Sequence, residues 1–95
     1  MILQIIRLKS SLDIDKLMEK AKEREPQFKA IPGLLQKYYV KLSEPGEFGG
    51  LYVWDSKEWA QAFRDSEPAK GIPKAYEILE APNIEVMDIL FQLRD

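Results

Sequence analysis

A run of alternating aromatic and aliphatic residues, Gly49-Gly50-Leu51-Tyr52-Val53-Trp54, leads without interruption into Asp55-Ser56-Lys57-Glu58-Trp59-Ala60-Gln61-Ala62-Phe63. The first part has the composition of a strand. Asp55 or Ser56 can accept a hydrogen bond from an amide of a following helical turn, and Glu58, three residues after Asp55, completes a capping-box pattern. Trp59, Ala62 and Phe63 then share one helical face at i, i+3, i+4 spacing. A strand and a helix joined by so short a corner, both carrying large apolar side chains, have to pack against each other. The chain is thereby committed to a layered α+β architecture.

The remaining elements follow from changes of period. Residues 2 to 9 are β-branched and apolar and read as a strand ending at Ser10-Ser11. From Asp13 the period becomes helical, with Ile14, Leu17, Met18 and Ala21 on one face and Lys16, Glu19, Lys20, Lys22 and Glu23 on the other. Pro26 is expected to end or kink this helix, with Phe28 making an apolar contact beyond the break and Gly33 reversing the chain after Pro32. Leu35 to Leu42 forms a second strand, a turn at Pro45-Gly46 makes a hairpin with the strand 49–54, and residues 56–64 form a helix. One or two short helical pieces fall between 67 and 78, and Ile84 to Leu93 makes a long last strand. The order β-α-β-β-α-β is the split arrangement of a ferredoxin-like fold, a four-stranded antiparallel sheet under two helices. Residues 1–95 are expected to form one domain.

Neither face of the sheet is polar. Ile2, Gln4, Ile6 and Leu8 oppose Leu3, Ile5 and Arg7 on the first strand, and Leu51 and Val53 oppose Tyr52 and Trp54 on the third. Two helices cover one face only, and an open face carrying Tyr52, Trp54 and several aliphatic residues exceeds the apolar patch that a monomer tolerates. A homodimer packed sheet against sheet meets the requirement. Folding of the 65–82 segment over that face is the alternative. Gly49 and Gly50 suggest a bulge or a close backbone approach, and Arg7 and Asp88 read as partners in a strand-edge or interface ion pair.

Composition excludes much chemistry. There is no cysteine and no histidine among the 95 residues, which removes disulfides, thiolate metal sites, a cysteine nucleophile and the commonest general base and haem ligand. Fourteen basic against sixteen acidic side chains give a formal charge of −2, so no basic excess favours nucleic acid. No apolar run approaches the ~18 residues of a membrane span. With no secretory signal at Met1-Ile2-Leu3, the cytoplasm is the expected compartment.

The stretches Ile31-Pro32-Gly33-Leu34-Leu35-Gln36-Lys37, Phe48-Gly49-Gly50-Leu51-Tyr52 and Trp54-Asp55-Ser56-Lys57-Glu58 through Phe63 and Ser66 resemble the dimeric α/β-barrel superfamily. In that superfamily two ferredoxin-like protomers join their sheets into a barrel, each with its own pocket. The likeness is to the YdhR-type group, whose members carry a monooxygenase assignment. The Trp54 segment also resembles that of haem-degrading oxygenases, but without a histidine a His-ligated haem is ruled out, and Tyr76 or Met87 is a poor substitute ligand. The resemblance instead implies a monooxygenase using neither metal nor flavin, in which a small aromatic or polyketide-like substrate loses a proton and its carbanion reacts directly with dioxygen.

That chemistry needs a shielded apolar pocket with a few polar groups. Gln4, Tyr39, Tyr52 and Trp54 are the candidate pocket residues: an amide flanked by Ile2 and Ile6, two phenols able to orient a ligand, and a stacking wall. Each has a structural alternative as a packing residue. Lys37 reads as a solvated edge charge, and only Glu85 or Asp88 can be nominated as a base. A non-catalytic binder of an apolar metabolite, or an isomerase or lyase of the same superfamily, stays open on this reading.

Overall fold

The structure is a computed structural model that describes residues 1–94. Strand β1 (Ile2–Lys9) is followed by helix α1 (Ile14–Lys29), the hairpin β2 (Leu34–Lys41) and β3 (Glu47–Trp54), helix α2 (Lys57–Arg64), the one-turn helices α3 (Glu67–Lys70) and α4 (Ile72–Ala75), and β4 (Asn83–Asp88). The sheet order is β2-β3-β1-β4, antiparallel throughout. This is the α+β ferredoxin-like arrangement expected from the sequence.

The starts of α1, α2 and α3 are fixed by side-chain caps at Asp13, Ser56 and Ser66, whereas α4 has none. Asp13 Oδ1 accepts from the Lys16 amide at 2.9 Å, and Ser56 Oγ, rather than Asp55, accepts from the Trp59 amide at 3.3 Å. Pro26 does not break α1, which runs three residues further to Lys29. The helix gives up one backbone hydrogen bond there, while Phe28 in its last turn is buried against Tyr52 and Phe63 with ring centroids 6.4 and 6.0 Å away. The buried stripe of α1 is Leu17, Ala21 and Phe28, and Ile14 and Met18 are exposed. On α2, Ala60 and Phe63 are buried. Trp59 is instead partly exposed and lies flat over Gly33, where an added Cβ would sit 2.0 Å from the indole. Gly33 therefore permits that close approach as well as sitting in the turn after Pro32, which the Leu34 amide closes by donating to Ile31 O at 3.2 Å.

The expected last strand is too long. β1 begins at Ile2, opposite Asp88, so pairing stops there with one further bond from the Ile89 amide to Met1 O. Leu90, Phe91 and Leu93 lie outside the sheet and are 91%, 79% and 81% exposed. The register of β1 with β3 is continuous through Gly49 and Gly50, and the irregularity in the sheet falls instead between Leu34 and Gln36.

Register also corrects the assignment of faces. Directly paired residues share a face, so Ile2, Gln4 and Ile6 lie with Trp54, Tyr52 and Gly50, on the side covered by the helices. Tyr52 and Trp54 are thus core residues and not part of an open face. The uncovered side carries Leu3, Ile5, Val40, Leu51 and Val53, with the more exposed Tyr38 and Met87. The open face is apolar all the same. The 65–82 segment does not cover it, because Ile72 and Tyr76 are buried on the helix side in the same core as Ile6, Phe48 and Tyr52. Arg7 on the open face pairs with Glu85, not with Asp88.

Candidate functional site

Between the sheet and α1, closed at one end by α4, lies a cavity lined by Ile6, Leu8, Leu17, Phe48, Ile72 and the side chains of Lys37, Tyr39, Tyr52 and Tyr76. Water can occupy about 30 Å³ of it, room for one or two molecules. Gly50 is part of its wall, and the missing side chain leaves room for the Tyr52 ring and Lys37. A Cβ there would meet the Tyr52 ring at 2.9 Å and Lys37 Cε at 3.3 Å.

Lys37 dominates the electrostatics. It stands opposite Tyr52 on the β2–β3 ladder, and its ammonium lies 3.7, 4.3 and 4.6 Å from the ring centroids of Phe28, Tyr39 and Tyr52. No carboxylate pairs with it among the described residues. Burial, and after it the charge of Arg24, brings its pKa down from 10.5 to about 7. The ring faces act the other way, since each attracts a cation. Lys37 is thus no solvated edge charge but an amine about half-protonated near neutral pH.

Arg24 is the second cation. Its Cζ lies 5.2 Å from the Phe28 centroid and 5.5 Å from that of Tyr76, and its Nη2 donates to Pro68 O. Because Lys37 and Arg24 both contact Phe28, their charges are separated by no more than the two distances combined, about 9 Å. Arg24 Nη1 and the Tyr76 hydroxyl are buried with no hydrogen-bond partner. Burial raises the pKa of Tyr39 to about 12, and it raises those of Tyr52 and Tyr76 as well, with Arg24 pulling each back in part. All three phenols therefore keep their protons at neutral pH and act as donors.

The four residues singled out from the sequence are distributed unevenly around this cavity. Tyr39 and Tyr52 line it. Gln4 and Trp54 do not, because Trp54 Nε1 donates to Gln4 Oε1 at 2.9 Å in the core, where the two side chains are 0% and 1% exposed. Trp54 stacks on Tyr52, centroids 6.0 Å apart and planes 1° from parallel, and so backs the cavity wall from behind. Gln4 also borders a separate cleft of about 130 Å³ with Lys57, Gln61 and Arg64. Glu85 and Asp88, on β4, line none of this cavity, and Glu85 is occupied by Arg7.

Lys37, Arg24 and Tyr76 were not selected from the sequence. Arg24 was detectable: Leu17, Ala21, Arg24 and Phe28 fall at i, i+4, i+7 and i+11, so the arginine occupies a core-facing position. Lys37 was not, because both alternating sets of β2 mix polar and apolar residues and the irregularity at Leu34/Gln36 hides their phase.

No protein-family model matches the chain, and no curated protein matches it. Solved structures do. A Nitrosomonas europaea protein of unknown function, NE2512, superposes with a TM-score of 0.78 at 21% identity over 96% of this chain and 90% of that one. SnoaB, a cofactor-independent oxygenase from Streptomyces nogalater, gives 0.76 at 8% identity over 99% and 97%. An antibiotic biosynthesis monooxygenase gives 0.74 at 16% identity over 95% and 99%. At these identities the likeness establishes the fold alone, a ferredoxin-like α+β protomer with the sheet order β2-β3-β1-β4. The narrower YdhR-type likeness is carried by the sequence stretches alone.

Proposed function

We propose that this protein is a cofactor-independent monooxygenase that oxidises a small aromatic or polyketide-like substrate in the cavity between sheet and helices, as a cytoplasmic homodimer. The observation that carries the reading is Lys37: an amine of pKa about 7, unpaired by any described carboxylate, facing an apolar cavity walled by aromatic rings. A base poised near the working pH abstracts a proton most effectively. Unprotonated Lys37 takes a proton from a ring methylene activated by the neighbouring aromatic carbonyl or phenol, and the resulting carbanion lies beside the new ammonium, with Arg24 behind it and neutral phenols donating to it. The electron-rich anion then reduces dioxygen. One oxygen atom enters the ring carbon, the other leaves as water, and a methylene becomes a carbonyl without any outside reductant.

A cavity of about 30 Å³ is well below the few hundred that an aromatic ligand needs. Tyr39 supplies the route to a larger site. Its ring borders the cavity and also two outer clefts of about 280 and 260 Å³, so rotation of this partly exposed side chain joins them. The apolar open face and the exposed Leu90, Phe91 and Leu93 support the dimer, since a second copy offers the same surface in return. The fold neighbours, SnoaB among them, support the oxygenase class.

The test is oxygen uptake by chelator-treated protein with a panel of hydroxylated aromatics. Uptake matched by product formation supports the reading. Product formed under anaerobic conditions overturns it in favour of an isomerase or lyase, and tight binding without uptake overturns it in favour of a binder.

A further inference from the structure

Two polar atoms beside this cavity lack a hydrogen-bond partner of ordinary geometry. The Tyr76 hydroxyl and Arg24 Nη1 are both buried and neither is paired, although a buried donor left unpaired destabilises a fold. They are also neighbours: the Arg24 guanidinium lies against the Tyr76 ring, outside the cavity lining, and by its charge and a loose hydrogen bond to the phenol, short of ordinary geometry, it partly opposes the upward shift of Tyr76. Tyr76 lines the cavity together with Lys37. Arg24, Lys37 and Tyr76 all offer donors at neutral pH, and no described carboxylate answers either cation. Gly71 is part of the arrangement, since a Cβ there would sit 3.1 Å from Arg24 Nη2.

Resting on the cavity being the ligand site, we propose that its ligand is an aromatic acid, whose carboxylate is held by Arg24 Nη1, the Tyr76 hydroxyl and Lys37 while its ring lies against Tyr39 and Tyr52. A carboxylate has the acceptor sites to satisfy both orphaned donors together. It also supplies the negative charge that Arg24, which no described carboxylate answers, calls for. Once Tyr39 has turned to enlarge the cavity, a neutral ring of the same shape takes up its apolar part and leaves the donors unpaired. The structure therefore separates the two kinds of ligand by charge, not by size.

Binding of 4-hydroxybenzoate and of its uncharged amide to the intact protein, followed by calorimetry and by NMR shifts of the tyrosine rings, tests this. The acid is expected to bind about tenfold or more tightly than the amide, as charge-assisted bonds to otherwise unpaired donors require. Tyr76→Phe, which keeps the ring and removes only the orphaned hydroxyl, is expected to cut that preference severalfold, and Arg24→Met to abolish it. Equal affinities, no binding of either compound, or a preference unchanged in Tyr76→Phe overturns the inference. The oxygenase reading fails differently: the acid binds with the expected preference, and no hydroxylated aromatic acid consumes oxygen.

Discussion

Replacing Lys37 by methionine is expected to stabilise the chain, and to do so more strongly at low pH. In the unfolded chain this lysine is protonated below about 10.5, and in the folded chain only below about 7. Between those values the unfolded state holds more protons, so stability rises with pH across that window and the cost of the buried charge is complete below it. A gap of that size is worth on the order of 5 kcal/mol at about 1.36 kcal/mol per pH unit. The rings of Phe28, Tyr39 and Tyr52 at 3.7, 4.3 and 4.6 Å return on the order of 2 kcal/mol of this. Methionine has similar length, carries no charge and packs well on aromatic rings. The expected gain is therefore about 3 kcal/mol near pH 6, and the two pH units between the folded value and pH 9 remove about 2.7 kcal/mol of it. Urea unfolding of both proteins at matched concentration measures it. A difference that does not change with pH, or a variant less stable at every pH, would refute the assignment of Lys37 as a buried unpaired amine. Loss of activity in the stabilised variant is the companion expectation, because groups that cost stability and persist are characteristic of working sites.

Gly50→Ala places a methyl group 2.9 Å from a Tyr52 ring that is itself stacked on Trp54, so a loss of about 1–3 kcal/mol in thermal or urea unfolding is expected, together with weaker ligand binding. Gln4→Leu leaves Trp54 Nε1 without its acceptor and is expected to cost about 1–3 kcal/mol, much of it recovered in the double variant with Trp54→Phe. No recovery in that cycle would place Gln4 in ligand contact rather than in the core. Leu51→Lys on the open sheet face is expected to convert a dimer to monomer in light scattering while leaving the helix-side core intact; an unchanged mass would remove the sheet-to-sheet dimer.

Most of the fold was legible because its signals are local. Asp13, Ser56 and Ser66 mark their helix starts by side chains that bond amides three residues on, and alternation marks the strands. The errors arose where a distant partner decides. Pro26 is tolerated because Phe28 finds Tyr52 and Phe63 across the core, and β4 stops where β1 begins. The inversion of the sheet faces has the same origin, since with both faces apolar only register shows that Tyr52 and Trp54 lie under the helices. For the site, the two tyrosines were legible as amphipathic residues on strands. Trp54 and Gln4 carried the right chemistry but satisfy each other. The cations were overlooked because a charged residue in sequence reads as solvent-facing unless its periodicity is followed, as Leu17, Ala21, Arg24 and Phe28 show.

The proposed oxidation of an aromatic substrate by dioxygen, in the cavity around Lys37 and with no bound cofactor, leaves an isotopic signature. Mass spectrometry of the product formed by chelator-treated protein from a hydroxylated aromatic under isotopically labelled dioxygen tests it most directly. One labelled oxygen atom in the product of the unaltered protein, and none formed by Lys37→Met, is the predicted result. Product that carries no label, or labelled product formed equally well by Lys37→Met, would contradict it.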